Sequence, residues 1–436
     1  MHKMHLCTFS FNIIDLAFME TEYPQGNSGI SKIMLTSLFI DEWNIFSIPM
    51  ISIFVEHSLR FGTTMLGLVT GATIGGASIG SVLGGYMVDR FGRRKLFFFN
   101  LILFLISAIL SALSINLTML VIFRFLAGIP AGADIANVYS YIMETEKPGH
   151  REVTGAYNTL MASVAILGLN GSVVILLISG LKATAIWKIA ILIQIIPVLF
   201  LLLSYKRIPE SDIWKASNKE ATYIDFFRKL RHNRVQWRTS MYSWCCGIAS
   251  GIEVGTFAFF IPYIILKFGI SGAINDRFII IGIYSIGIPA GYLGPKILPK
   301  IGLRKLSYSG FALSFAGLVI SGLALLFNIY IVLPVSMMIF VWGNHWNNEP
   351  ITTSQALVAD SDMRGKAVGI SNFIYQLPSF LSISIFPIMF SAIGMGYSTL
   401  VVAIASFSGI VITLFVFREI FGYRNDATYD SECVQS

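Results

Sequence analysis

The chain is expected to be an all-α integral membrane protein, with twelve transmembrane helices arranged as two pseudo-symmetric bundles of six. Three observations support this. Hydrophobic residues fill 55% of the 436 positions and charged residues only 13%, more apolar surface than one water-bathed core can hide. Apolar windows of roughly 20 residues, long enough to cross the hydrocarbon of a bilayer, recur about twelve times. The second half also echoes the first at an offset near 210 residues.

Residues 1–32 form a leading segment. Its apolar run Leu6–Phe18 is short, carries Asp15 and lacks a small-residue cleavage site, so it reads as a mobile or interfacial lead and not as a signal peptide. The windows of the first bundle, 33–204, lie at 33–54, 64–86, 96–113, 119–143, 155–179 and 185–204. The second of these closes at Gly84 and Gly85, small enough for tight helix packing, and the chain turns at Gly92. Residues 205–238 are charged and amphipathic with nine bases, as expected of a connector lying on the membrane surface. The second bundle, 239–417, has windows at 239–266, 277–297, 306–327, 329–357, 366–391 and 397–417, followed by a tail at 418–436.

The bases set the orientation. Of the 31 Lys and Arg, 25 fall in the leading segment, the even-to-odd loops and the tail. Arg60, Lys182, Lys188, Lys267 and Arg277 lie at or near the other side, and Arg124 lies inside a span. This asymmetry predicts a multi-pass cell-membrane protein with both termini cytoplasmic. The net charge of +7 then reflects topology, and no nucleic-acid partner is required. Cys7, Cys245, Cys246 and Cys433 have no metal-ligand spacing and read as small packing residues. With no metal constellation, nucleotide loop or nucleophile motif, neither a cofactor nor an enzyme is expected.

The internal repeat pairs Arg60-Phe61-Gly62 with Lys267-Phe268-Gly269, and Gly92 through Leu96 with Gly302 through Leu306. It also pairs Arg151, Gly155 and Asn158 with Arg364, Gly369 and Asn372. Intramembrane polar groups follow the same offset: Asp41 precedes Glu253 by 212 positions, and Asp134 precedes Asn347 by 213. A charge at the centre of an inserted helix costs roughly 2.5 to 3.5 kcal/mol, so these groups are expected to line a cavity between the halves. Arg124, the one base deep within a span, is the expected electrostatic partner of Asp41, whose carboxyl would switch between proton-bound and ionised forms. The bland alternatives place Asp41 near a helix end among headgroups and Arg124 at the outer interface. Glu42 points about 100° away from Asp41 and is the weaker candidate.

The tenth span holds Trp342, Asn344, His345, Trp346, Asn347, Asn348 and Glu349 just before Pro350. Polar or broken helix is tolerated at membrane depth only where it faces protein or water. Rings with amides suit a polyol, so these residues, with Asn137 and Gln376, are the expected substrate contacts. A buried structural network or the cytoplasmic mouth of the helix is the alternative. A free imidazole titrates near neutral pH, but a lone histidine such as His345 is more often structural. Tyr139, Asn158, Asn170 and Tyr263 are further cavity candidates.

Gly85-Tyr86-Met87-Val88-Asp89-Arg90-Phe91-Gly92-Arg93-Arg94-Lys95 resembles the loop signature between helices 2 and 3 of the major facilitator superfamily. Asp89 there pairs with the neighbouring bases or meets an incoming helix end. Arg124 with Gly128, Gly132 and Asp134 resembles the fourth helix of its sugar porters. Phe39 through Phe46 is similar to the first helix of the phosphate and sialate branches, with Asn44 in place of a second Asp. The resemblance implies that Asp41 and Arg124 form the proton-coupling pair, with Asp134 and Glu253 matching acids of proton-phosphate symporters. Glu144 with Arg151, and Pro209-Glu210-Ser211 with Trp214, resemble further sugar-porter elements.

Gly85, Asp89, Arg90, Gly92, Arg93, Arg94, Glu144, Arg151 and Glu210, with Arg304 and Arg364 in the second half, are the expected cytoplasmic gate. The C-terminal latch should be the weaker, because Pro299 stands where Asp89 would and Leu357 where Glu144 would. The implied function is alternating-access transport, with protons moving together with a small polar solute, either a sugar or an organic or inorganic acid. A passive facilitator or a proton-driven exporter is the alternative within transport, and a non-transporting receptor is the alternative outside it. The acids Asp41, Glu42, Asp134, Glu253 and Glu349 against Arg124 disfavour a naked anion as solute unless protons enter with it. The expected partners are the solute, protons and the lipid bilayer, and the chain is expected to be a monomer.

Overall fold

The computed structural model describes residues 28–423 apart from 218–219 and 269–272. The expectations for Leu6–Phe18, Cys7, Gly269, Cys433 and the end of the tail fall outside the described residues. Within them every regular element is helical.

The first half comprises α1 (Ser28–Leu59), α2 (Thr63–Phe91), α3 (Arg93–Ala112) and α4 (Leu117–Thr145), then α5 (His150–Ile178, interrupted at Tyr157) and α6 (Ala183–Arg207). The second comprises α7 (Arg234–Lys267), α8 (273–301), α9 (303–326), α10 (Leu333–Val358), α11 (Arg364–Ile393) and α12 (Met395–Phe415). The helices outrun their apolar windows because polar first and last turns extend beyond the hydrocarbon. α7 accordingly begins at Arg234, inside the stretch assigned to the connector.

Among the described residues ten helices are long and apolar enough to cross a membrane. The two remaining spans are accounted for. α8 and α9 are separate helices, as expected, that meet at the non-helical backbone of Gly302 within one apolar stretch, Asn275–Leu326. α10 is less apolar, with the amides Asn344, Asn347, Asn348 and Gln355 beside His345 and Glu349. Gly302 (φ 81°) repeats the device of Gly92 (φ 101°) between α2 and α3, a left-handed backbone that glycine adopts without a Cβ penalty.

Small residues set the packing. A Cβ on Gly128 or Gly132 would collide with backbone of Thr73 or Ala77, so α4 lies directly on α2. Glycines line two of the seams between the halves. In one, Gly85 of α2 faces Gly365 and Gly369 of α11. In the other, Gly287 and Gly291 of α8 face Ser163 and Leu160 of α5. The connector folds as Asp212–Ala216 and Tyr223–His232. The second of these helices is capped reciprocally by Thr222 and Asp225, and those hydrogen bonds from Thr222 hold the Asp225 carboxyl below the usual carboxylate range. It buries Phe226 and Leu230 in a cluster with Ala367 and Ile370 of α11, while Tyr223 donates to Val82 O of α2 at 2.5 Å.

Candidate functional site

Asp41 and Glu42 leave α1 in different directions, as a 100° step requires. Asp41 is fully buried within the first half, in electrostatic reach of Asp134, and neither carboxyl oxygen has a hydrogen-bond partner. Asp134 of α4 is equally buried but well supplied. Ser37 of α1 donates to its Oδ2, and Asn100 Nδ2 of α3 donates to its Oδ1 at 3.1 Å.

Arg124 is fully buried as well. Its Nε reaches Thr73 Oγ1 of α2 at 3.1 Å, and its Nη2 donates to the backbone carbonyl of Asn44, about one turn along α1 from Asp41. Asn44 Nδ2 in turn donates to Ala127 O at 3.0 Å. The expected direct Asp41–Arg124 pair is therefore not formed, and among the described residues no ion pair joins Arg124 to either aspartate. The cause is local: Asn44 ties α1 to α4, which puts its own carbonyl, and not Asp41, opposite the guanidinium.

Glu42 is half-buried and lies within electrostatic reach of Tyr139 on α4 and Tyr375 on α11. It is thus the α1 acid that faces the opposing half, a role the sequence assigned to its neighbour.

In the second half Glu253 sits immediately before a π-helical turn, Val254–Ala258, a feature frequent at functional sites. Its Oε1 accepts from Ser406 at 2.6 Å, and its Oε2 accepts from Asn347 at 3.0 Å and Asn344 at 3.4 Å. The positions matched by the repeat thus meet their equivalents in both halves: Asp41 lies near Asp134, and Glu253 bonds Asn347.

α10 divides its polar residues by face. Half-buried Asn344 and Asn348 point toward α7 and α11, with Asn348 Nδ2 3.4 Å from Tyr375 Oη. Trp342 and Trp346 meet edge-on with centroids 5.6 Å apart, and Trp346 donates to Ala290 O of α8 at 3.0 Å. His345 and Glu349 turn to α5 of the other half. Ser163 Oγ lies 2.6 Å from His345 Nε2, and Thr159 Oγ1 donates to Glu349 Oε1 at 2.8 Å. Asn137 is buried beside Asp134, and Gln376 is buried on α11 next to Tyr375.

At the connector face a buried chain of alternating charge crosses between the halves. Asp89 ends α2 against the first turn of α11, where Gly365 N donates to its Oδ1 and Lys366 N and Nζ donate to its Oδ2, all at 3.0 Å. A carboxylate at that position satisfies otherwise orphaned amides and meets the positive end of the helix dipole. Arg93 Nη2 lies 3.5 Å from Asp89 and grips Glu144 with Nε and Nη2 at 3.0 and 2.6 Å. Glu144 also accepts from Arg364 of α11 at 3.3 Å. No side chain in the sequence Lys366–Asp89–Arg93–Glu144–Arg364 is more than 8% exposed.

The other expected gate residues take different roles. Glu210 caps α3, accepting from Arg93 N at 3.0 Å and Arg94 N at 3.3 Å, and forms no ion pair among the described residues. Arg90 is exposed and donates to Tyr86, while Arg94 stacks over Tyr205 at 4.8 Å. Arg151 reaches Tyr423 O at 2.6 Å, and Arg304 binds carbonyls at Thr413 and Leu414 of α12 within its own half.

Two participants were not foreseen. Lys366 corresponds in the repeat to apolar Val153, so no motif marked it. Glu419 caps α9 through Leu303 N at 3.0 Å and Arg304 N at 3.1 Å, as Glu210 caps α3. The period of the repeat points to it, 209 positions on, although it falls in what reads as a tail.

Two helical halves that meet along polar side chains, with buried ion pairs across one end, have the architecture of a membrane carrier. The chain belongs to the major facilitator superfamily, whose sequence profile matches residues 33–383. It is 24% identical over 401 residues to the glucose transporter GlcP of Staphylococcus epidermidis, covering 84% of this chain and 87% of that protein. It is 30% identical to the arabinose-proton symporter of Bacillus subtilis over 169 residues, 37% of this chain and 36% of that one. Among solved structures it is similar to the proton:xylose symporter XylE bound to 6-bromo-6-deoxy-D-glucose, with a TM-score of 0.78 and 18% identity, covering 91% of this chain and 96% of that one. The inward-open form of XylE from E. coli gives a TM-score of 0.71 at 20% identity over 90% and 96% of the two chains.

Proposed function

We propose that this protein is a proton-coupled sugar symporter of the cell membrane, acting as a monomer by alternating access. The moving bodies are 33–204 and 239–417, linked by the connector 205–238. The connector face and both termini are cytoplasmic, in line with the distribution of bases. The glucose, arabinose and xylose in the names of similar proteins support a sugar as solute.

The carrying observation is Asp41, a buried carboxyl with no partner, beside Asp134 and about one turn from the site where Arg124 is held. A bare buried charge is strongly unfavourable. Binding a proton, or drawing Arg124 away from the Asn44 carbonyl, are two ways to neutralise it, and exchanging one for the other changes how α1 packs on α4. Glu253 orders Asn344 and Asn347 from below. With Asn348, Trp342, Trp346, Asn137 and Gln376 these offer amides and rings to sugar hydroxyls, and His345 and Glu349 bound the chamber on the α5 side. The chain from Lys366 to Arg364 is the cytoplasmic gate, closed in this conformation. One proton crossing 100 mV supplies about 2.3 kcal/mol, enough for about fifty-fold accumulation of a neutral solute.

Uptake of radiolabelled D-glucose and D-xylose into proteoliposomes, with and without a proton gradient, tests this reading. Asp41→Asn should abolish accumulation while leaving counterflow intact. Full gradient-driven accumulation by Asp41→Asn would refute the coupling assignment.

A further inference from the structure

Glu349 stands apart from the acids already discussed. It lies on the connector-side half of α10, is 1% exposed, and meets the opposite half of the protein through one neutral hydroxyl, Thr159 of α5. Its second oxygen, Oε2, has no hydrogen-bond partner, and among the described residues it forms no ion pair. α8 makes room for it with a glycine: a Cβ on Gly294 would lie 2.6 to 3.0 Å from the carboxyl atoms.

The titratable groups around it carry no fixed positive charge. They are Tyr139 on α4, Tyr157 on α5 with Tyr292 of α8 behind it, and His345 one turn back on α10, which is held by Ser163 and the Val341 carbonyl. A carboxylate enclosed in this way lacks the cation and the set of donors that make buried charge tolerable, whereas a carboxylic acid needs neither.

We propose that Glu349 is a second proton-binding group of the transport cycle. It holds a proton while α5 lies against α8 and α10, and releases it when that seam opens. The step balances: the Oε2–H bond breaks, the proton passes to water entering the opened seam, and the charge left on the carboxylate is hydrated there. Thr159 and Ser163 withdraw with α5, so the same movement that admits water removes the groups enclosing the acid. Closure of the α5–α8 seam and proton occupancy of Glu349 are then two expressions of one equilibrium. This deepens the alternating-access reading and rests on it, but it does not require that Asp41 carry the coupled proton or that the solute be a sugar.

The test needs no solute. Spin labels at Lys147→Cys and Lys300→Cys, beside the connector-side ends of α5 and α8, in a background with the native cysteines replaced, report the width of the seam by pulsed dipolar spectroscopy in nanodiscs between pH 5 and 9. The ratio of long to short distances should rise with pH, by up to about tenfold per pH unit, the limit for one proton. In Glu349→Gln, a neutral mimic of the acid, the ratio should stay low and lose that slope. If Glu349→Gln does not fold, Thr159→Val serves in its place, keeping the slope but moving its midpoint. A pH response that persists in full in Glu349→Gln, a midpoint unmoved in Thr159→Val, or a wild-type seam indifferent to pH would each overturn the proposal. The symport reading stands or falls separately on the uptake of Asp41→Asn.

Discussion

Asp89→Asn is the most informative perturbation of the connector-face gate. Asp89 accepts from two backbone amides of α11 and from the Lys366 ammonium, and it lies beside Arg93. The asparagine keeps one acceptor oxygen but removes the negative charge and leaves Lys366, 1% exposed, without its counter-ion. Truncating one partner of a buried pair costs about 3 to 5 kcal/mol. The loss falls on the closed state, because opening returns Lys366 to water. The lower end of that range, about 3 kcal/mol, corresponds to a shift of about a hundredfold toward the open state.

The assay is labelling of Ser81→Cys by an impermeant thiol reagent applied from the connector side, in a background with the native cysteines replaced. Ser81 is fully buried in the α2–α11 seam, where it receives Asn372 Nδ2 at 2.8 Å. If opening limits the reaction, Asp89→Asn should raise the rate by about two orders of magnitude without large loss of thermal stability. A rate equal to that of the parent would show that the charge chain does not hold the gate.

Further outcomes follow from the same geometry. Lys366→Met combined with Asp89→Asn should open the gate less than the sum of the two single changes, because removing both partners leaves no stranded charge; a double-mutant cycle of labelling rates checks this. Glu210→Ala removes the cap of α3, worth about 1 kcal/mol, and should lower the melting temperature slightly while leaving Ser81→Cys labelling at the parent rate. Gly132→Ala puts a methyl group onto the Ala77 carbonyl and should cost about 1 to 3 kcal/mol or more, read as loss of a monodisperse, thermally stable protein in detergent.

The fold was legible because membrane helices declare themselves by length and composition, and the repeat then fixes how many there are. α8 and α9, expected as two spans, are two helices that meet at the non-helical backbone of Gly302, the position the repeat pairs with Gly92. At the connector face the spacing of Asp89, Arg93 and Glu144 carried real information, since short-range motifs fix which turn a charge occupies. The contacts of Glu210 and Arg304 with backbone groups, and of Arg151 with the Tyr423 carbonyl beside its neighbour Glu152, were not legible, because a sequence shows every carbonyl and amide alike. Asp41 and Arg124 were expected to line a cavity between the halves and are instead buried within the first. Whether they touch depends on a fraction of a helical turn, decided here by Asn44 and its bond to α4. Glu42 was ranked low for want of any way to know which of two adjacent acids faced the other half.

The polar character of α10 also bears on how the chain is made. A segment with His345, Asn347 and Glu349 at its middle falls short of the apolarity by which spans partition unaided from the translocon into lipid. Its amides bond Glu253 and Ser250 of α7, Ser314 of α9 and Tyr375 of α11. During biogenesis α10 therefore depends on neighbours synthesised before and after it, and its stable insertion is tied to the arrival of α11.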